Sequence, residues 1–143
     1  NGGYVGHGET YLTENPVNWG NKSDAEMWWS KGGILRGKSH DRIKFLKSII
    51  ESAPGYLSPV VNYDSWMPYS AVGYKDEYFL NYYNMDQPRA QIVKLPADAK
   101  YKVEIINGWD MTIKPVEGEY SGRCIIQLPQ KPFTALRITK IRK

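Results

Sequence analysis

The chain predicts a mainly β fold: an antiparallel β-sandwich of about seven strands, preceded by a helical segment. Two observations predict it. From about Tyr69 onward apolar residues recur with a period of two, and turn signals cut the chain into short segments. Before residue 56 the period is three to four, as in a helix. The shift divides the chain into residues 1–55 and 56–143 and suits the tail of one domain followed by a whole second domain. A length of 143 residues leaves room for that arrangement, and an apolar content of 41% supports a packed core.

The elements follow in order. Near the start, a short apolar stretch around Tyr4 and Val5 runs into His7 and Glu9, which are spaced by Gly6 and Gly8. This suits the last strand of an enzyme barrel, whose mouth presents polar side chains to a ligand; the alternative is a loop. Unpaired backbone groups are costly when buried, so on the strand reading the chain is a fragment of something larger. Ser23 and Glu26 match a capping box ahead of Met27, Trp28 and Trp29, and Gly32-Gly33 ends that short helix. Ser39 can cap a second helix with Asp41 in its first turn. Ile43, Leu46, Ile50 and Ala53 form its apolar face over about four turns, and Pro54-Gly55 stop it. Residues 56–68, with Pro59 and Pro68, read as a linker or an extended cover segment.

Seven strands are then expected: Ser70–Tyr74, Glu77–Tyr83, Arg89–Leu95, Tyr101–Asn107, Asp110–Val116, Gly122–Leu128 and Thr134–Ile141. Turn signals separate them, among them Lys75-Asp76, Asn107-Gly108 and Glu117-Gly118. Tyr101, Val103 and Ile105 share one face, with Lys102 and Glu104 on the other. Tyr78-Phe79-Leu80 does not alternate, which fits a central strand covered on both sides.

Charge and composition exclude several classes. The net charge of +4 is mild, and the only basic cluster is the tail Arg137, Lys140, Arg142, Lys143, read as a solvated terminus. No nucleic acid partner is expected. No apolar run approaches the roughly 20 residues that span a bilayer, so no membrane partner is expected. The single cysteine, Cys124, forbids an internal disulfide and slightly favours a reducing, cytoplasmic setting. Its place on an apolar strand face marks it as core. His7, His40 and Cys124 lack zinc spacing, and the glycine pairs match no nucleotide fingerprint, so neither a metal nor a cofactor is implied.

His7 and Glu9, two apart on a strand, would share a face and could meet sugar hydroxyls; on a loop they would be satisfied by backbone groups. Hydrolysis of a glycosidic bond needs two carboxylates, about 5–9.5 Å apart depending on stereochemistry. Glu14 is the only other acid close in sequence and lies in a Pro-containing loop, so no catalytic residue is assigned. Trp28 and Trp29 could stack a sugar ring or simply pack.

The stretch from Gly2 to Tyr11, the string from Trp28 to Gly33, and Arg42-Ile43 with Phe45-Leu46 together resemble the end of the catalytic TIM barrel in a group of bacterial glycoside hydrolases. Tyr78-Phe79-Leu80, Tyr101 to Ile106, Trp109 to Ile113 and Ala135 to Ile138 are similar to the small C-terminal β-sandwich of the same enzymes. The resemblance implies a helical remnant of an (α/β)₈ barrel before the sandwich. It implies that His7 and Glu9 face the sugar at the barrel mouth, that Trp28 and Trp29 lie in the loops above, and that the catalytic acid and nucleophile sit on barrel strands outside this chain. The expected function is therefore that of a C-terminal piece of a glycoside hydrolase, inactive by itself. Its partners would be the carbohydrate substrate and the rest of the barrel, with a homodimer as one way to cover exposed apolar surface. The alternative is a non-catalytic carbohydrate-binding or protein-interaction module, with Tyr82, Tyr83 or Trp109 as a platform.

Overall fold

The structure of the protein, a computed structural model, describes residues 39–65 and 69–142. Residues from Phe45 onward belong to one compact unit, and the described residues before it to a second. Among the described residues there is one helix, α1 (Ser39–Glu51). There are nine strands: β1 (Ser58–Pro59), β2 (Tyr63–Asp64), β3 (Ser70–Tyr74), β4 (Tyr78–Tyr83), β5 (Ala90–Lys94), β6 (Tyr101–Asn107), β7 (Thr112–Tyr120), β8 (Arg123–Gln127) and β9 (Thr134–Lys140). They form two antiparallel sheets, one of six strands in the order β1-β3-β4-β9-β6-β7 and one of three in the order β2-β5-β8. This is the mainly β, antiparallel sandwich that the period of two predicts. No described helix is long and apolar enough to cross a membrane.

Strand β4 explains the layering. It lies between β3 and β9 in the larger sheet. Phe79 points to the inner face and joins Val93, Tyr101, Ile126, Leu136 and Ile138 in the main core. Tyr78 and Leu80 point the opposite way and pack with Ile49, Ile106 and Ala135 in a second core. Both faces are covered, so the strand has no reason to alternate. Val93, Leu136 and Ile138 are fully buried, and each contributes about 1.5–3 kcal/mol by leaving water.

Four sequence expectations are corrected. The helix was expected to bury Leu46 and Ile50, yet these are 44% and 45% exposed, whereas Ile49 is 4% exposed. The helix carries two apolar stripes side by side. Steps of four run as a nearly straight ridge, so Phe45, Ile49 and Ala53 meet the sheet together, and Leu46 and Ile50, about 100° further round, do not.

Residues 56–68 are not only a linker. They supply β1, paired with β3, and β2, paired with β5. Two-residue strands are too short to show a period.

The Glu117-Gly118 turn is a bulge inside β7. Tyr101 pairs with Tyr120 and Val103 with Val116, so the stretch from 117 to 119 stands opposite Lys102 alone. Gly118, at φ 100°, takes the backbone conformation this needs.

The fifth strand begins at Thr112 instead of Asp110 because a turn intervenes. Asn107 Oδ1 accepts from the Trp109 and Asp110 amides at 2.9 and 2.8 Å. Strand β7 closes one edge of its sheet with an almost wholly exposed run that includes Lys114, Pro115 and Glu117.

Candidate functional site

The sugar-facing residues expected from sequence, His7, Glu9, Trp28 and Trp29, lie outside the described residues, as does the expected barrel strand. The aromatic platform expected of a binding module is only partly present. Tyr83 is fully buried beside Tyr69, with ring centroids 4.9 Å apart. Burial pushes its phenol far above the ordinary value. A ring in that position cannot stack a sugar. Tyr82 and Trp109 are 41% and 54% exposed. Trp109 rides on the Asn107 turn and stacks on Phe133 at 5.6 Å and 25°.

Several of the described carboxylates are tied to cations: Asp64 to Lys94 and Arg123, Asp110 to Lys131, Glu77 to Arg142 and Glu119 to Lys100. The hydrogen bond from Lys100 holds the Glu119 carboxyl below its ordinary value. Among the described residues no group of three His, Cys, Asp or Glu could hold a metal.

One polar centre is built deliberately by the fold. On the outer face of the six-stranded sheet, Arg137 of β9 stands opposite Leu80 of β4 on one side and Glu104 of β6 on the other. Arg137 Nε donates to Glu104 Oε2 at 2.6 Å, and one terminal nitrogen donates to Ser52 Oγ at 3.3 Å. Ser52 follows the last turn of α1, so the helix end is pinned over the pair. Glu104 raises the Arg137 guanidinium above its already high value. Tyr78 lies beside them. Burial raises its phenol, with Ser52 and Arg137 opposing the shift. Its oxygen is buried, with the Ser52 and Arg137 side chains as its polar neighbours.

Sequence reasoning missed this centre because it placed Arg137 in a solvated tail. The signal was present: Leu136 and Ile138 alternate with Arg137, which sets the guanidinium on the sheet face opposite the main core.

Similarity to known proteins is found at the level of fold and family. The chain resembles a solved structure from Bacteroides vulgatus ATCC 8482 described as a "putative glycoside hydrolase", with a TM-score of 0.64 and 27% identity over 85% of this chain and 27% of that one. It also resembles a solved glycoside hydrolase at TM-score 0.60 and 15% identity, over 86% of this chain and 31% of that one. A family 5 glycoside hydrolase from Bacteroides vulgatus ATCC 8482 superposes at TM-score 0.61 and 17% identity, over 93% of this chain and 30% of that one. The last two likenesses concern the fold alone. The chain thus spans less than a third of the length of these enzymes. No curated protein matches the sequence. Residues 66–139, just over half of the chain, match the family described as "Domain of unknown function (DUF5605)"; that span takes in β3 through β8 and nearly all of β9, and the chain belongs to this family.

Proposed function

We propose that the protein is the C-terminal portion of a glycoside hydrolase. Residues 1–55 are the end of its catalytic barrel, and residues 56–143 are an accessory sandwich that buttresses the barrel. The observation that carries this reading is the extent of the 27% identity. It covers 85% of the chain, more than residues 56–143 alone can supply, and so reaches back into the first 55 residues. In this reading His7 and Glu9 stand at the barrel mouth toward the sugar, and Trp28 and Trp29 offer stacking faces above it. The two catalytic carboxylates come from the remainder of the barrel.

Two features favour buttressing over sugar binding as the role of the sandwich. The outer face of the large sheet is packed against Phe45 and Ile49 of α1 and Ala53 just after it, and Tyr83 is unavailable as a platform. The test compares the chain with a longer protein that carries a complete barrel, on a panel of aryl glycosides. Turnover by the longer protein and none by the chain is expected. Turnover by the chain alone refutes the division of labour. Glycan affinity in the chain that Trp109→Ala abolishes would instead establish a binding module.

A further inference from the structure

Among the described residues, β8 is the one long and regular border of either sheet. The larger sheet ends in β1, two residues long, and in β7, which carries Pro115 and the bulge. The smaller sheet ends in β2, also two residues, and in β8. Strand β8 has five residues, no proline and an unbroken register, and it pairs with β5 alone.

The ladder shows which of its backbone groups are used. The Leu95 amide donates to the Gly122 carbonyl and the Leu128 amide to the Arg89 carbonyl, each at 2.9 Å. Bonded and unbonded pairs alternate along an antiparallel ladder, so Cys124 and Ile126 turn their amides and carbonyls toward β5. Those of Arg123, Ile125 and Gln127 turn outward and bond no other backbone group among the described residues. The side chains follow the same alternation. Cys124 and Ile126 pack into the main core, whereas Arg123, Ile125 and Gln127 are exposed, Ile125 to 59%. Ile125 stands opposite Ile92, so an apolar row runs along the outer face of the small sheet and stops at its border. Proteins usually blunt such a border with a lysine, a proline or a bulge. Here the one charge, on Arg123, is answered by Asp64.

We infer that β8 is the edge through which two copies of this chain pair, antiparallel, about a two-fold axis at Ile125. The strand is complementary to itself in that register. With Ile125 opposite Ile125 of the second copy, Arg123 meets Gln127 and Gln127 meets Arg123. The outward groups of all three residues become bonded pairs, which gives about six backbone hydrogen bonds. No like charges stand opposite each other. Ile92 and Ile125 continue into their counterparts as one apolar row, and the two small sheets become one sheet. Each outer border of that sheet is then the short β2, so the assembly closes as a dimer. The inference does not depend on the glycoside hydrolase reading.

The test is sedimentation equilibrium of the whole chain up to about 1 mM, since small interfaces are weak, with amide hydrogen exchange followed over the same range. A reversible dimer is expected. The amides of Arg123, Ile125 and Gln127 should gain protection with concentration, while those of Cys124 and Ile126 are protected throughout. Three substitutions at exposed positions leave the core untouched. Ile125→Lys should weaken the dimer at least about tenfold. Gln127→Glu, which sets a carboxylate opposite Arg123, should tighten it about two- to tenfold, and Gln127→Arg should weaken it by a similar factor. A chain that stays monomeric throughout overturns the inference. So does a dimer that Ile125→Lys leaves intact, or one that Gln127→Glu and Gln127→Arg shift in the same direction. Protection of the three amides only on addition of a different polypeptide also overturns it, and would mark the edge as a receptor for a foreign strand.

Discussion

Arg137 and Glu104 join two central strands by a 2.6 Å charge-assisted hydrogen bond on a face that a helix end covers. The side chains are 16% and 32% exposed, the most covered of the ion pairs among the described residues. Partial desolvation makes the pair asymmetric in consequence: its presence adds modestly, but loss of one partner strands the other.

Glu104→Gln should therefore destabilise the sandwich by about 2 kcal/mol. Glu119→Gln, which removes the partner of an exposed lysine, should leave the unfolding midpoint where it is. Urea unfolding of both variants checks the contrast.

The seam between α1 and the sheet rests on Ile49. Ile49→Ala should cost about 2–4 kcal/mol, because the deleted atoms leave a cavity that rigid strands cannot fill. Leu46→Ala and Ile50→Ala, at half-exposed positions, should each cost less than about 1 kcal/mol. A reversed order in thermal unfolding would contradict the observed helix face.

Alkaline pH should loosen the fold. Burial raises the Tyr83, Tyr78 and Tyr101 phenols above their ordinary value of 10.0. The folded state then keeps protons that the unfolded state has lost. This stability is fully present below about pH 10 and falls as pH rises past it. Tyr83→Phe, which removes the titrating group, should flatten that fall. Unfolding free energies measured from pH 8 to 11 test the slope.

Burial also pushes the Cys124 thiol up, and Sγ lies 3.8 Å from the Val93 carbonyl oxygen. The thiolate is the reactive form, so alkylation at neutral pH should run slower than for free cysteine. Urea should abolish the difference. Fast labelling of the folded chain would contradict it.

What the sequence made legible was periodicity with enough length behind it. Strand β6 was read at its observed bounds because Tyr101 to Asn107 carries a full alternating run between two turn signals. The non-alternating Tyr78-Phe79-Leu80 announced a strand covered on both faces. What escaped depends on register. Arg137 and Glu104 are 33 residues apart, and only the pairing of β6 with β9 places them side by side. The choice between Ile49 and Leu46 is equally invisible to a helical wheel, because both stripes are apolar and the sheet decides which one it takes. Glycine at 118 signalled a special backbone conformation correctly, but a turn and a bulge share that signal. His7, Glu9, Trp28 and Trp29 lie outside the described residues, so their placement rests on the resemblance.

The kinked outermost strand β7 has a further meaning. A proline, a bulge and a fringe of charges make it a poor template for a neighbour's backbone, and at the far side of the same sheet β1 is only two residues long. Growth of this sheet by strand addition is thereby discouraged at both borders. That leaves the faces of the sheet, one of which α1 already uses, as its better contact surface, and it discourages one copy from recruiting the next into an open-ended ribbon.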